Sequence, residues 1–180
     1  MRMVDLLWAL LLAAPFSFAQ NVPDPRTPAA HLLTFTLDES REAVARKMGP
    51  PPVVADYGPG YQTWQYRIDV EDHHDFSHLF CFRRSDGRLV SITRNGHDAI
   101  VDDLFPPAQT AVHHWPDSAK PQYSVLLRRL PGDRLLLAMG ARQAGEPVAQ
   151  LMLIHRSAVK AFLPWLDSQL QQSGAVRESR

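Results

Sequence analysis

Between residues 61 and 70 apolar and polar side chains alternate. Trp64, Tyr66, Ile68 and Val70 fall on one side of an extended chain, and Thr63, Gln65, Arg67 and Asp69 on the other. A period of two predicts a strand with one buried face. The period returns in Phe76, His78, Phe80 and Phe82, with Leu79 and Cys81 opposite. A third strand is predicted over residues 89–94, stopped by Asn95-Gly96. The intervening EDHHD at 71–75 reads as a polar turn, and Asp86-Gly87 as a tight type I′ hairpin. Three strands joined by short turns predict an antiparallel meander.

Upstream the period changes. Val44, Ala45 and Met48 share one face at helical spacing, with Ser40 as the N-cap and Leu37 placed to pack back as a staple. Thr36 and Glu39 also fit a capping box. Gly49 followed by Pro50, Pro51 and Pro52 ends this helix. Downstream, a short strand is predicted at 110–114, and a hairpin is predicted from YSVLLRRL and RLLLAM around Pro131-Gly132-Asp133. VAQLMLI at 148–154 is a further strand. Ser157 can cap a closing helix with Val159, Phe162, Leu163 and Leu166 on one face, in which Pro164 either makes a kink or starts a second half. The fold class is therefore α+β: a helix, an antiparallel β-meander, further antiparallel strands and a C-terminal helix.

The first residues change the picture of where the chain goes. A basic residue, the apolar run LLWALLLAA and Ser17-Phe18-Ala19 predict a signal peptide over 1–19, cleaved after Ala19. The expected localisation is secreted or periplasmic. Residues 20–30 carry three prolines and read as a linker. Residues 31–96 form the helix and three-stranded meander, 97–170 the second strand group with its helix, packed as one unit with the first, and 171–180 a polar tail. No other apolar run reaches membrane-spanning length. With Lys+Arg 19 against Asp+Glu 19, the chain offers no basic field for nucleic acid. A single cysteine leaves stability to a packed core.

The segment FTLDESREAVARKMGP followed by TWQY resembles the repeat unit shared by β-lactamase inhibitory proteins and the small outer-membrane-assembly lipoproteins of the SmpA/OmlA type. The matching positions are Ser40, Val44, Met48, Gly49, Pro50, Trp64 and Tyr66, within residues 33–95. That family often has glycine where this chain has Asp38. Its lipoproteins carry an N-terminal cysteine that is absent here. Its inhibitors have two repeats and disulfides, whereas no second copy of the helical motif follows residue 100. The resemblance implies a non-catalytic exported protein that binds an envelope or secreted protein.

Two candidate sites follow from the polar residues. Asp72, His73, His74 and Asp75, on a turn between two well-patterned strands, are candidate partner-binding residues. His73, His74, Asp75 and His78 are the alternative, a zinc site of a metal-binding protein or metal-dependent hydrolase, because imidazole and carboxylate suit that ion. No other cofactor is implied. Cys81 alternates into a strand on the face opposite His78 and reads as structural rather than catalytic. No phosphate loop, HExxH or GxSxG motif occurs. Arg83-Arg84 and Arg128-Arg129 are basic pairs at strand ends that can meet partner carboxylates or keep edges soluble.

Overall fold

A computed structural model of the chain describes residues 34–68, 76–99, 104–114, 124–140 and 148–178. Helix α1 spans Arg41–Met48, and the Ser40 hydroxyl accepts from the Ala43 N–H at 3.3 Å, satisfying one of the donors a helix start leaves open. Thr36 and Glu39 close their own turn one step earlier, the Thr36 N–H donating to the Glu39 carboxylate at 2.7 Å. Gly49, at φ 80°, ends the helix and returns its N–H to the Ala45 carbonyl at 2.9 Å. Leu37 and Val44 are both buried in one cluster, as a staple requires.

Eight strands follow: β1 Val53–Tyr57, β2 Tyr61–Ile68, β3 Phe76–Arg83, β4 Leu89–Ala99, β5 Thr110–His114, β6 Ser124–Leu130, β7 Arg134–Met139 and β8 Val148–His155. They form one antiparallel sheet in the order β1-β2-β3-β4-β8-β7-β6-β5. The sheet is two four-stranded meanders, β1–β4 and β5–β8, joined through β4 and β8. The chain closes with α2 (Val159–Phe162) and α3 (Pro164–Glu178).

The first meander thus has four strands, not three: β1 lies between the proline run and the Gly58-Pro59-Gly60 turn. Strand β4 does not stop at Asn95-Gly96. The strand passes through an irregularity after Asn95, where Gly96 takes φ 156°, and runs on to Ala99, whose partner is Val148. The Asp86-Gly87 turn is not type I′, which needs positive φ at both central residues. Only Gly87 has it (φ 67°), and Arg84–Gly87 form a longer connection closed by Gly87 N–H to Arg83 O and Arg83 N–H to Arg88 O, at 2.9 and 2.8 Å. Ser157 does not cap the closing helix. It lies in a 3-10 turn, and Ala158 takes the cap position without a side-chain bond. Pro164 begins α3 rather than kinking α2, since Leu163 breaks away at φ −137°. Residues 171–178, read as tail, continue α3.

Register divides the core into two faces. On one, Tyr66, Phe80, Phe82, Ile92, Leu136, Ala138, Leu151 and Leu153 pack under the lead-in residues Phe35 and Leu37, under Val44 of α1 and under Phe105. On the other, Cys81, Val90, Val125, Leu127, Leu135, Leu137, Met152 and Ile154 pack under Val159, Leu163, Leu166 and Leu170. Both faces of the sheet are therefore covered, each by a different end of the chain.

The lead-in is fastened to β4. Asp38 N–H donates to Leu89 O at 2.8 Å, Leu89 N–H to Glu39 O at 2.9 Å, and Ser40 bridges Arg88. Asp38 adopts φ 74°, a left-handed conformation that a glycine takes without a Cβ clash. Its carboxylate lies 3.0 Å from His155 Nε2 at the end of β8. On the far face, buried Asp167 holds Arg156 by an ion pair and accepts from Gln171 Nε2 at 2.7 Å.

Candidate interaction surface

With both sheet faces covered, the outer strands remain. Strand β1 forms because Val53, Val54 and Tyr57 favour extended backbone and a short glycine-rich turn folds the strand onto β2. Prolines at 51 and 52 before it and at 59 after it confine it to five residues. It then projects past the core: every residue is exposed, with Val53 at 49%, Val54 at 51% and Tyr57 at 44%. Pairing with β2 is continuous from Val53↔Gln65 to Tyr57↔Tyr61, without a bulge. The strand has Asp56 as its one charged residue and no lysine or proline, and among the described strands none pairs with its outer row of N–H and C=O groups.

One end of this edge is an aromatic and arginine corner. Tyr57 stacks on Phe162 of α2, ring centroids 4.8 Å apart at 5°, and Tyr61 meets the same ring edge-on at 5.0 Å and 62°. Arg84 forms an ion pair with Asp56 of β1, and its Nε donates to Tyr61 O at 3.1 Å. The Arg84 backbone N–H donates to Gly60 O at 2.9 Å, locking the two turns together. Between those turns is an open depression of about 440 Å³ lined by Pro59, Gly60, Tyr61, Arg83, Arg84 and Ser85. Arg83 sits at its rim, 3.4 Å from Asp86. Tyrosine and arginine are the side chains most enriched where proteins associate.

The opposite edge is different. Strand β5 is tied to α3: His113 Nδ1 lies 3.0 Å from Gln169 Oε1, and Gln169 Nε2 donates to His114 O at 3.3 Å. Val112 is its exposed apolar residue.

The sequence-derived candidates are distributed otherwise. Asp72, His73, His74 and Asp75 lie outside the described residues, as does the signal segment. His78 is described, and it is buried at 1% exposure on the α1 face of β3. It stands across from Tyr66 on β2 and from Arg94 on β4, Arg94 being equally buried. A guanidinium is an unfavourable neighbour for a metal cation. Among the described residues no group of three or more His, Cys, Asp or Glu is placed to hold a metal ion. Burial pushes the Cys81 thiol up to about 12, and the side chain faces away from His78, so a thiolate nucleophile is disfavoured there. Arg128 fastens the segment before β5, donating to Leu104 O at 3.0 Å, while Arg83 and Arg84 both join the exposed corner described above. Sequence reasoning missed β1 and Phe162. The available signal was the VVADY run punctuated by prolines on one side and Gly-Pro-Gly on the other.

No protein-family model matches the chain, and no curated protein does. A solved structure, an extracellular protein containing an SCP domain from Bacillus anthracis str. Ames, is similar at a TM-score of 0.45 and 11% identity. The similarity covers 76% of this chain and 48% of that one, so the chain spans about half the length of that protein. No helix among the described residues is long and apolar enough to cross a membrane.

Proposed function

We propose that this chain is an exported, non-catalytic binding or scaffold protein of the envelope or secreted fraction, and that it associates through the β1 edge and the adjoining Tyr57–Phe162–Arg84 corner. The observation that carries this reading is the β1 strand itself: five exposed residues at the edge of the sheet, two valines and a tyrosine among them, with Asp56 their one charge. The resemblance to the inhibitor and assembly-factor repeat is supported by three features. Ser40 caps α1, Gly49 ends it, and Asp38 takes the left-handed conformation at the position where the family often has glycine. A second four-stranded meander, preceded by a short 3-10 turn at Pro107–Gln109 in place of a helix, is compatible with the two-repeat plan of the inhibitors.

The test separates edge from loop. Val53→Lys should abolish retention of envelope or secreted proteins that co-purify with the wild type, at unchanged melting temperature. Replacing Asp72, His73, His74 and Asp75 by Ser and Gly should leave that retention intact. The reverse result would assign recognition to the 71–75 turn, and zinc-dependent loss of stability in the loop variant would favour the metal reading. Export is checked by mass spectrometry of the mature chain, which should begin at Gln20 or within a few residues of it.

A further inference from the structure

The β1 edge also constrains what can occupy it. Any strand added there has to fit a ladder of five residues and turn away where the flanking prolines stand. β1 itself satisfies that limit. Resting on the reading of this edge as an association surface, we propose that its partner is β1 of a second copy, paired antiparallel about a two-fold axis at Ala55.

The register follows from geometry. An antiparallel pair with all five residues matched has a single solution, in which Ala55 faces Ala55 of the other copy, Val53 faces Tyr57, and Val54 faces Asp56. Directly opposed residues in an antiparallel sheet point to the same face. Val53, Ala55 and Tyr57 therefore form one continuous apolar row, doubled by symmetry, on the side where Tyr57 already stacks on Phe162. An isologous contact of this kind is self-complementary: Val53 of each copy, an exposed valine, meets the exposed Tyr57 of the other. The smallest side chain sits at the axis, where two copies approach most closely. Each Asp56 faces Val54 of the other copy and keeps its own Arg84 as counter-ion. The chain's formal net charge of +0 leaves no long-range repulsion between copies.

The closure matters as well. A β1-to-β1 contact uses the same edge on both copies and ends the assembly at two chains. A β1-to-β5 contact would be head-to-tail and lead to a ring or an open filament. A five-residue ladder falls short of the about 1,200 Å² that stable interfaces bury, so a weak, concentration-dependent dimer is expected.

Sedimentation equilibrium of the purified chain from about 1 µM to about 1 mM should show the average mass rising toward two chains and no further. Val54→Asp places a carboxylate opposite Asp56 of the other copy and should weaken the dimer about tenfold or more. Val54→Lys places an ammonium there and should leave it within a few-fold of wild type. Both are substitutions at an exposed position, and circular dichroism checks that each variant is folded. Under mild oxidation Ala55→Cys should form a disulfide-linked dimer, since facing Cβ atoms lie about 4.5–5.5 Å apart, close to disulfide reach. Val53→Cys should not, because the two Val53 positions would stand roughly 13 Å apart along the strands. The buried Cys81 does not compete. A wild type that remains monomeric throughout, an open-ended series of masses, or equal cross-linking at positions 53 and 55 overturns the proposal. If the wild type is monomeric and Val54→Asp still loses a co-purifying protein, the edge reading survives with another partner. If that protein is retained, both fail.

Discussion

Val44 is the side chain through which α1 is anchored to the sheet, and its truncation gives a quantitative test of the packing. The residue is fully buried in a cluster with Leu37, Tyr66, Phe80, Phe82 and Leu89. Val44→Ala removes two methyl groups, about 1.6 kcal/mol at roughly 0.8 kcal/mol per buried methylene-sized group. A residual cavity of about 50 Å³ at about 24 cal/mol per Å³ adds roughly 1 kcal/mol. Alanine's better helix propensity returns about 0.5 kcal/mol, leaving a net loss of about 2 kcal/mol. Val44→Asp should lose several kcal/mol, since a carboxylate in this apolar cluster must be desolvated or protonated. The comparator is Thr63→Asp. Thr63 is half-buried on the other face of β2 and donates to Ala55 O at 3.2 Å, so its replacement should cost about 1 kcal/mol. Equilibrium unfolding in urea, followed by tryptophan fluorescence, reads all three. A loss below about 0.5 kcal/mol for Val44→Ala, or equal losses for Val44→Asp and Thr63→Asp, would refute the assignment of α1 to the Tyr66 face.

Arg156→Met should destabilise by about 2–3 kcal/mol by stranding the buried Asp167 carboxylate, and adding Asp167→Leu should recover most of that loss, as measured by a double-mutant cycle in denaturant. Gly140→Ala should lose about 1–3 kcal/mol, because the backbone has φ 95° and a Cβ would meet the Ala149 Cβ at 2.9 Å; a neutral melting temperature would contradict this. Burial pushes Tyr66 from 10.0 and Cys81 from 9.0 up to about 12. Both groups are held neutral, so their stabilisation is complete below pH 9 and is lost as pH rises toward 12. The melting temperature should therefore hold to pH 9 and fall above it, less steeply in Tyr66→Phe with Cys81→Ala.

The parts of this fold that were legible in the sequence are those where burial is one-sided. Tyr66 follows partly exposed Gln65, and His78 and Phe80 flank partly exposed Leu79, so period two stands out along β2 and the first half of β3. The cap of α1 was legible for a local reason: Ser40 and Gly49 act within one turn of themselves. Strand β1 was not, because a strand exposed on both faces has no alternation to display. Asn95-Gly96 misled because Asn-Gly suits a turn in isolation, whereas here it marks an irregularity in the pairing with β8, which resumes at Ala99. The polar run after Leu170 lacks an apolar face, yet it continues a helix already anchored by Leu166 and Leu170 on the sheet. Of the residues offered for the turn and zinc sites only His78 is described, and it is buried on the face it shares with Phe80 and Phe82.

The way the two faces are covered bears on how such a chain can recognise anything. A single-layer sheet with one open face can bind through that face. Here the lead-in and α1 cover one side, and α2 and α3 cover the other, each reaching across from an opposite end of the chain. The polar residues on the inner faces are committed to structure: the Tyr66 hydroxyl donates to Gly49 O at 2.9 Å, fixing the end of α1, and Gln150 Nε2 donates to Asn95 Oδ1 at 2.7 Å across β4 and β8. Recognition by the described residues is thereby displaced to the margins. Of the two margins, β5 has its backbone and His113 engaged by Gln169, whereas β1 is held by β2, the Arg84–Asp56 pair and the Tyr57–Phe162 stack, all of which rigidify it without covering its outer edge. A rigid strand with an open edge loses less conformational entropy on pairing than a mobile one. The same contacts that position β1 thus make it the better of the two edges for association.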